Sequence, residues 1–129
     1  MKKIGFILSG LAMCVFLLLA KPARADAEPE LRSMEATAYC YDGLTYSGAP
    51  VRRGICAGRK EWIGKCAAVY LQEDDGSIGE FVGYYEVLDT GSDERLINGS
   101  AIDIYMPDED TCLEWGRKKV YIKLIDAEG

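Results

Sequence analysis

Two aspartates that border or interrupt apolar, β-prone runs are the residues best suited to chemistry. Asp89 ends a Val-Leu pair and opens a Thr-Gly-Ser turn, while Asp103 lies between Ile102 and Ile104. Because side chains alternate faces along a strand, Asp103 shares its face with Tyr105 rather than with the isoleucines. A buried carboxylate without a partner is costly, and burial raises its pKa. We therefore predict that Asp103 stays protonated and acts as a general acid.

Each aspartate also has a plainer interpretation. Asp89 can cap the loop that it opens, an interpretation we weigh equally with substrate contact. Asp103 can be a carboxylate satisfied by backbone N–H groups inside a barrel. The Asp-Thr-Gly-Ser string also matches the signature of a dimeric aspartic protease, with one aspartate per subunit. Only 40 residues follow Asp89, and they contain neither a flap nor the later hydrophobic-Gly element, so the protease is a remote alternative.

The first 25 residues have the pattern of a secretory signal. Two lysines precede an apolar run over residues 4–20, and a small-x-small site ends at Ala25. We expect cleavage there; the alternative is an uncleaved membrane anchor. The predicted organisation is a signal peptide over 1–25, a flexible leader over 26–32 and one domain over 33–129. The mature protein is then secreted or extracytoplasmic, with no stable membrane anchor.

Composition limits the partners and the chemistry. The 104 residues after the predicted cleavage site carry 11 Lys and Arg against 21 Asp and Glu, a net charge of −10. Such a chain repels polyanions, so we expect no nucleic-acid partner. The chain has no histidine, which removes Ser-His-Asp and Cys-His catalysis and histidine-ligated zinc. The acidic turn at 73–76 lacks the ligand spacing of a calcium loop, and we predict neither a metal nor an organic cofactor, in a monomer.

Four cysteines follow the predicted cleavage site. An even count in a small exported domain favours two disulfides, with three possible pairings. We predict Cys56 with Cys66 and Cys40 with Cys112. The sequence contains no CxxC motif, so a zinc knuckle or a thioredoxin-like redox site is disfavoured.

Short apolar or alternating runs predict a mainly β domain. The predicted strands cover residues 33–40, 54–57, 66–71, 79–88, 102–106 and 120–125. One short helix is expected to begin at Pro107 and end near Gly116, with Leu113 facing the core. Evenly spaced short strands of this kind suggest a small β-barrel.

The order of several motifs resembles the bacterial 3D domain, named for three aspartates. The family also includes the catalytic barrel of membrane-bound lytic transglycosylase A and related stationary-phase muralytic proteins. The resemblance extends over residues 33–125, and it is carried by Ala36-Thr-Ala-Tyr39, Thr45-x-Ser47-Gly48, Arg53-Gly-Ile-Cys-Ala57, Asp89-Thr-Gly91, Ile102-Asp-Ile-Tyr105 and Trp115-Gly-Arg117.

The resemblance implies a six-stranded double-psi β-barrel that cleaves peptidoglycan between N-acetylmuramic acid and N-acetylglucosamine. It makes Asp103 the catalytic acid and Asp89 a partner that lines the site. We add Thr45, Ser47 and Tyr105 as substrate-binding candidates.

One departure from the family pattern affects this prediction. The family's first aspartate follows the alanine of the second strand, but here Gly58 follows that alanine. Glu61 is a possible substitute and a further candidate site residue. The sequence thus predicts a peptidoglycan lytic transglycosylase, and the alternative is a catalytically silent glycan-binding module with the same fold.

Overall fold

A computed structural model describes residues 30–126 of the protein. The predicted signal peptide and most of the predicted leader lie outside these residues. The elements are β1 (Leu31–Tyr39), β2 (Ile55–Ala57), a 3-10 turn (Lys60–Trp62), β3 (Lys65–Gln72), β4 (Ile78–Asp89), α1 (Glu94–Ile97), β5 (Ala101–Tyr105), α2 (Glu109–Trp115) and β6 (Lys118–Asp126). Neither helix in this part of the chain is long and apolar enough to cross a membrane.

The six strands form a closed barrel in the order β1-β5-β2-β4-β3-β6, with β6 returning to β1. β1 runs parallel to β5 and β2 runs parallel to β4, whereas the other neighbours are antiparallel. Strands distant in sequence are therefore adjacent in space. In particular, the β1–β5 pairing sets Thr37 opposite Asp103 and Tyr39 opposite Tyr105.

The core consists of small and β-branched side chains that point into the barrel. Its fully buried members include Ala36, Cys56, Val69, Val87, Ile102, Ile104, Val120 and Ile122. The buried isoleucines on either side of Asp103 hold β5 in place, and the alternation of the strand turns the aspartate to the other face.

All six predicted strands are present, within about three residues at each end. The mainly β class and the short helix near residue 110 are confirmed, while the double-psi description stays a prediction. One boundary differs: β1 begins at Leu31, so Leu31 and Arg32 are not part of a flexible leader. Both residues pair with β6, which supplies the hydrogen bonds that a free leader would lack.

The helix α2 differs from its prediction in its start and in the residue that it buries. It begins at Glu109 and not at Pro107, and Asp108 caps it, since the Asp108 side chain accepts from the Thr111 N–H. Leu113 does not face the core: it is 76% exposed. Trp115 packs against the core instead, and its Nε1 donates to the Ala36 carbonyl at 3.0 Å. A seven-residue helix has room for one inward side chain at its end, and the indole takes that place.

The predicted disulfides are absent, because Cys40, Cys56, Cys66 and Cys112 are all free thiols. For Cys56 and Cys66 the reason is topological. Cys56 pairs with Val87 and Cys66 with Glu86, so β4 runs between them. Two strand spacings amount to about 9–10 Å, which exceeds the roughly 7 Å Cα separation that a disulfide can bridge.

Candidate active site

A cleft of about 460 Å³ opens where β1, β4 and β5 meet the loop before α1. Asp89 and Asp103 both line it, together with Tyr39 and Ala57. Asp89 is the last residue of β4, and Asp103 lies in the middle of β5. The structure thus brings the two sequence-predicted aspartates into one cavity, although they belong to strands separated by β2 in the barrel.

Asp103 lies half-buried on the cleft wall, and one of its oxygens has a partner. The Thr37 hydroxyl donates to Asp103 Oδ1 at 3.0 Å across the β1–β5 pair. Burial raises the pKa of the Asp103 carboxyl, whereas the Thr37 hydrogen bond and the positive charge of Arg95 oppose the rise. The direction of the pKa shift is upward because desolvation penalises the charged form most. No main-chain amide of residues 30–126 binds this carboxylate, so the interpretation of Asp103 as a backbone-satisfied aspartate does not match the geometry.

Asp89 is held more firmly, on both oxygens. Its Oδ1 accepts from the backbone N–H of Tyr46 at 2.9 Å and of Thr90 at 3.0 Å. Its Oδ2 accepts from the Tyr39 hydroxyl at 3.1 Å. The Thr90 bond is local to the loop that Asp89 opens, whereas the Tyr46 bond docks the loop around Tyr46 onto the end of β4. Asp89 therefore combines a structural role with a position on the cleft wall.

Tyr39 and Thr37 are site residues that sequence reasoning did not select. Burial, followed by the Asp89 carboxylate, raises the pKa of the Tyr39 hydroxyl, so the phenol stays a donor across the working pH range. The signal was available in the alternation of β1. Glu35, Thr37 and Tyr39 share the face opposite buried Met34 and Ala36, and strand pairing places that face beside Asp103.

An ion-pair cluster borders the cleft near Asp103. Arg95 of α1 contacts Asp93 at 2.9 Å and Glu35 at 3.5 Å, and Arg117 lies 3.7 Å from Glu35. Arg95 holds the pKa of Asp93 at about 2 through hydrogen bonds from its side chain and backbone. The cluster fixes a guanidinium close enough to Asp103 to moderate the rise in the pKa of that carboxyl.

The other predicted site residues do not line this cleft. Thr45 is buried, and its hydroxyl bonds to Ser47 Oγ at 2.8 Å and to the Ala49 carbonyl at 2.9 Å, so both hydroxyls serve the loop itself. Tyr105 packs edge-to-face on Tyr39 with ring centroids 5.8 Å apart and lines a neighbouring cavity.

Glu61 does not replace the missing aspartate. It lies on the exposed 3-10 turn, paired with Arg59 at 3.1 Å. The backbone N–H of Gly58 donates to the Asp89 carbonyl at 3.0 Å. A Cβ at residue 58 would lie 3.2 Å from the Trp62 ring and 3.4 Å from Val87. The buried indole of Trp62 thus occupies the space that a side chain at position 58 would enter.

The fold is a closed six-stranded barrel, and two carboxylates from non-adjacent strands line one of its clefts. These two features place the protein in a class of small β-barrel proteins with a carboxylate site. The family model described as the 3D domain matches residues 57–126, which is more than half of the chain and includes both aspartates. The protein belongs to the 3D domain family, which is associated with peptidoglycan-active domains of the lytic transglycosylase type. Among curated proteins, none is similar enough in sequence to count as a relative.

The residues of the cleft could support acid-base chemistry. They offer a carboxyl with a raised pKa, a second carboxylate whose oxygens are occupied, and a phenol donor. Within residues 30–126, no three Cys, Asp or Glu side chains gather as they would around a metal ion.

Proposed function

We propose that the protein is a secreted, extracytoplasmic lytic transglycosylase that cleaves the glycan strand of peptidoglycan between N-acetylmuramic acid and N-acetylglucosamine. The single observation that carries the proposal is Asp103, a half-buried carboxyl with a raised pKa on the wall of an open cleft. Family membership supports the substrate class. The double-psi description of the barrel belongs to the same proposal.

In this mechanism one carboxyl serves twice. Asp103 donates its proton to the glycosidic oxygen as the bond to C1 breaks. The C6 hydroxyl of the muramic acid then attacks C1 and returns a proton to Asp103, which gives a 1,6-anhydro product without water. Hydrolytic glycosidases need two carboxyls at a fixed separation for the same bond, whereas an intramolecular nucleophile removes the need for the second.

Asp89 has a positioning role in this proposal. Its two oxygens accept three hydrogen bonds, which fix the position of the carboxylate. By holding Tyr39 and the Tyr46 loop, it keeps the cleft open and presents fixed dipoles to the sugar. Preorganised groups of this kind contribute without rearranging during the reaction.

The test uses purified cell walls and mass spectrometry of the released fragments. We expect 1,6-anhydromuropeptides from the unmutated protein and a loss of at least about 100-fold in Asp103→Asn, the scale of a general acid. Asp74→Asn, which removes a carboxylate from the exposed β3–β4 turn, is the matched control and should retain activity. Equal product from Asp103→Asn and the control would refute the assignment.

A second candidate is a catalytically silent glycan-binding module. It is favoured by Gly58, which stands where the family's first aspartate is expected and is covered by Trp62. Intact walls after incubation, together with saturable binding of soluble glycan strands, would support the module over the enzyme.

A further inference from the structure

A second cavity of about 310 Å³ adjoins the aspartate cleft. The partition between the two is the edge-to-face ring pair of Tyr39, which lines the first cavity, and Tyr105, which lines the second. Near the rings, Cys40 Sγ contacts the Pro107 carbonyl at 3.8 Å. Lining residues of the two cavities therefore touch at two places.

The second cavity combines apolar walls with two glycines and one cation. Tyr84 and Met106 form part of its walls, and Gly54 and Gly83 line it without a side chain of their own. Arg53 lies at its edge, is exposed, and makes no ion pair within residues 30–126.

Hydrogen bonds from Thr111, and then the charge of Arg53, lower the pKa of Asp108, so this carboxylate lies within the electrostatic reach of the guanidinium. Asp108 Oδ1 is already bound to the N–H and hydroxyl of Thr111, and the carboxylate forms no ion pair with Arg53. The guanidinium of Arg53 is therefore available to an incoming anion. In a chain with 21 acidic residues, an arginine that makes no ion pair within residues 30–126, beside two glycines without side chains, suits a carboxylate at the end of a narrow chain.

The substrate of the proposed function supplies such a group. A peptide stem leaves the lactyl ether of each muramic acid and carries free carboxylates. Three extended residues reach about 10 Å, which exceeds the 5.8 Å between the centroids of the two rings.

We propose that the Arg53 cavity binds the peptide stem of peptidoglycan, with a stem carboxylate on the Arg53 guanidinium and the stem backbone along Gly54 and Gly83. This inference rests on the proposed function for its substrate. It predicts that the protein prefers glycan strands that carry peptide stems, a preference that the cleavage chemistry alone does not predict.

The primary test needs no catalysis. The full chain is titrated with the free tripeptide L-alanyl-γ-D-glutamyl-diaminopimelate, and backbone amide resonances are followed by NMR. We expect saturable shifts at Gly54 and Gly83 and none at Gly91, which lines the aspartate cleft. Arg53→Gln and the carboxamidated tripeptide should each weaken binding about tenfold, the scale of one charge-assisted hydrogen bond.

Arg52→Gln is the matched control, because it removes the same charge from a residue already paired with Glu86 at 2.7 Å. It should bind the tripeptide as the unmutated protein does. Arg53→Lys keeps the charge without the planar fork, and we expect it to recover part of the affinity.

Shifts confined to Gly91, or equal binding by Arg53→Gln, would overturn the proposal. A second measurement tests the stem site independently of whether the proposed cleavage activity exists. If walls are cleaved, the ratio of rates on stem-bearing and amidase-stripped strands should fall about tenfold in Arg53→Gln, and an unchanged ratio counts against the stem site. If walls are not cleaved but the tripeptide binds through Arg53, the lyase fails and the stem site remains.

Discussion

The pKa of the Asp103 carboxyl is set by interactions that act in opposite directions. Burial raises its pKa, while the Thr37 hydroxyl and the charge of Arg95 favour the ionised form. A general acid works best when it is protonated at the working pH but still releases its proton. The Thr37 bond therefore tunes the acid as well as holding it in place.

Thr37→Val removes that hydroxyl and keeps the shape of the side chain. Because the hydrogen bond stabilises the ionised carboxylate, its loss should raise the pKa of Asp103 further. The basic limb of the pH profile of kcat/KM should then move to higher pH, with a loss of roughly 1 kcal/mol in stability. Thr37→Ser, which retains a hydroxyl, is the control, and a limb that moves to lower pH in Thr37→Val would contradict the argument.

The raised pKa of Asp103 also makes a prediction about stability. A carboxyl that binds its proton more tightly when folded loses stability as pH rises through the interval between its unfolded and folded pKa values. Asparagine cannot ionise, and its Oδ1 can still accept from Thr37. Asp103→Asn should therefore be more stable than the unmutated protein at pH 7, and the difference should vanish below about pH 3, under the ordinary aspartate pKa of 3.8.

Urea unfolding at pH 3 and pH 7 measures this difference. Asp75→Asn is an informative contrast, because hydrogen bonds from Ser77 lower the pKa of Asp75. Asp75→Asn should lower the free energy of unfolding at pH 7 and change it little at pH 3. Its effect at pH 7 is therefore opposite in sign to that of Asp103→Asn. The same sign for both variants would contradict the assignment of the Asp103 shift.

At the scale of elements, the short segment after β2 explains why no aspartate stands at position 58. The 3-10 turn places Trp62 against Gly58, and the ring lies only 3.2 Å from the point that a Cβ at this residue would occupy. Gly58→Ala should cost about 1–3 kcal/mol by overpacking, and Gly58→Asp should cost more because it adds a buried carboxylate. Chemical denaturation of the two variants measures both costs.

Gly91→Ala is the control for position 58, since its Cβ would make an ordinary contact of 3.4 Å at an exposed turn. Its free energy of unfolding should stay within about 0.5 kcal/mol of that of the unmutated protein. A Gly58→Asp protein of unchanged stability would mean that Trp62 moves aside easily.

The helix α2 depends on one anchor. Trp115 donates to the Ala36 carbonyl at 3.0 Å and packs on the core, whereas Leu113 is 76% exposed. Trp115→Phe should therefore cost about 1–2 kcal/mol, and Leu113→Ala less than about 0.5 kcal/mol. Denaturant titration compares the two, and a larger cost for Leu113→Ala would restore the inward-facing leucine that the helical pattern predicts.

Strands and turns could be predicted from the sequence where a local pattern of residues determines them. The strand around Asp103 followed from alternation between buried isoleucines, and the β3–β4 hairpin followed from its Asp-Asp-Gly turn. The partners of the aspartates did not, because Thr37 and Tyr39 reach them through the parallel β1–β5 pairing and across about 50 to 65 positions of sequence. The orientation of α2 also failed, since its few residues give too little periodicity to choose between Leu113 and Trp115.

At the scale of the whole molecule, the barrel order decides which cysteines can meet. β4 separates Cys56 from Cys66, and burial raises the pKa of the Cys56 thiol, so this pair should not oxidise in the folded protein. Cys40 follows β1 and Cys112 lies in α2, whose preceding Pro107 carbonyl contacts Cys40 Sγ.

All four thiols are free in the folded protein. We therefore expect peptide mapping without reductant to find no link among them, and reduction to leave Tm unchanged both in the unmutated protein and in Cys112→Ser. A Cys56–Cys66 link in folded protein would contradict the strand order itself, because no disulfide spans an intervening strand without breaking its ladder.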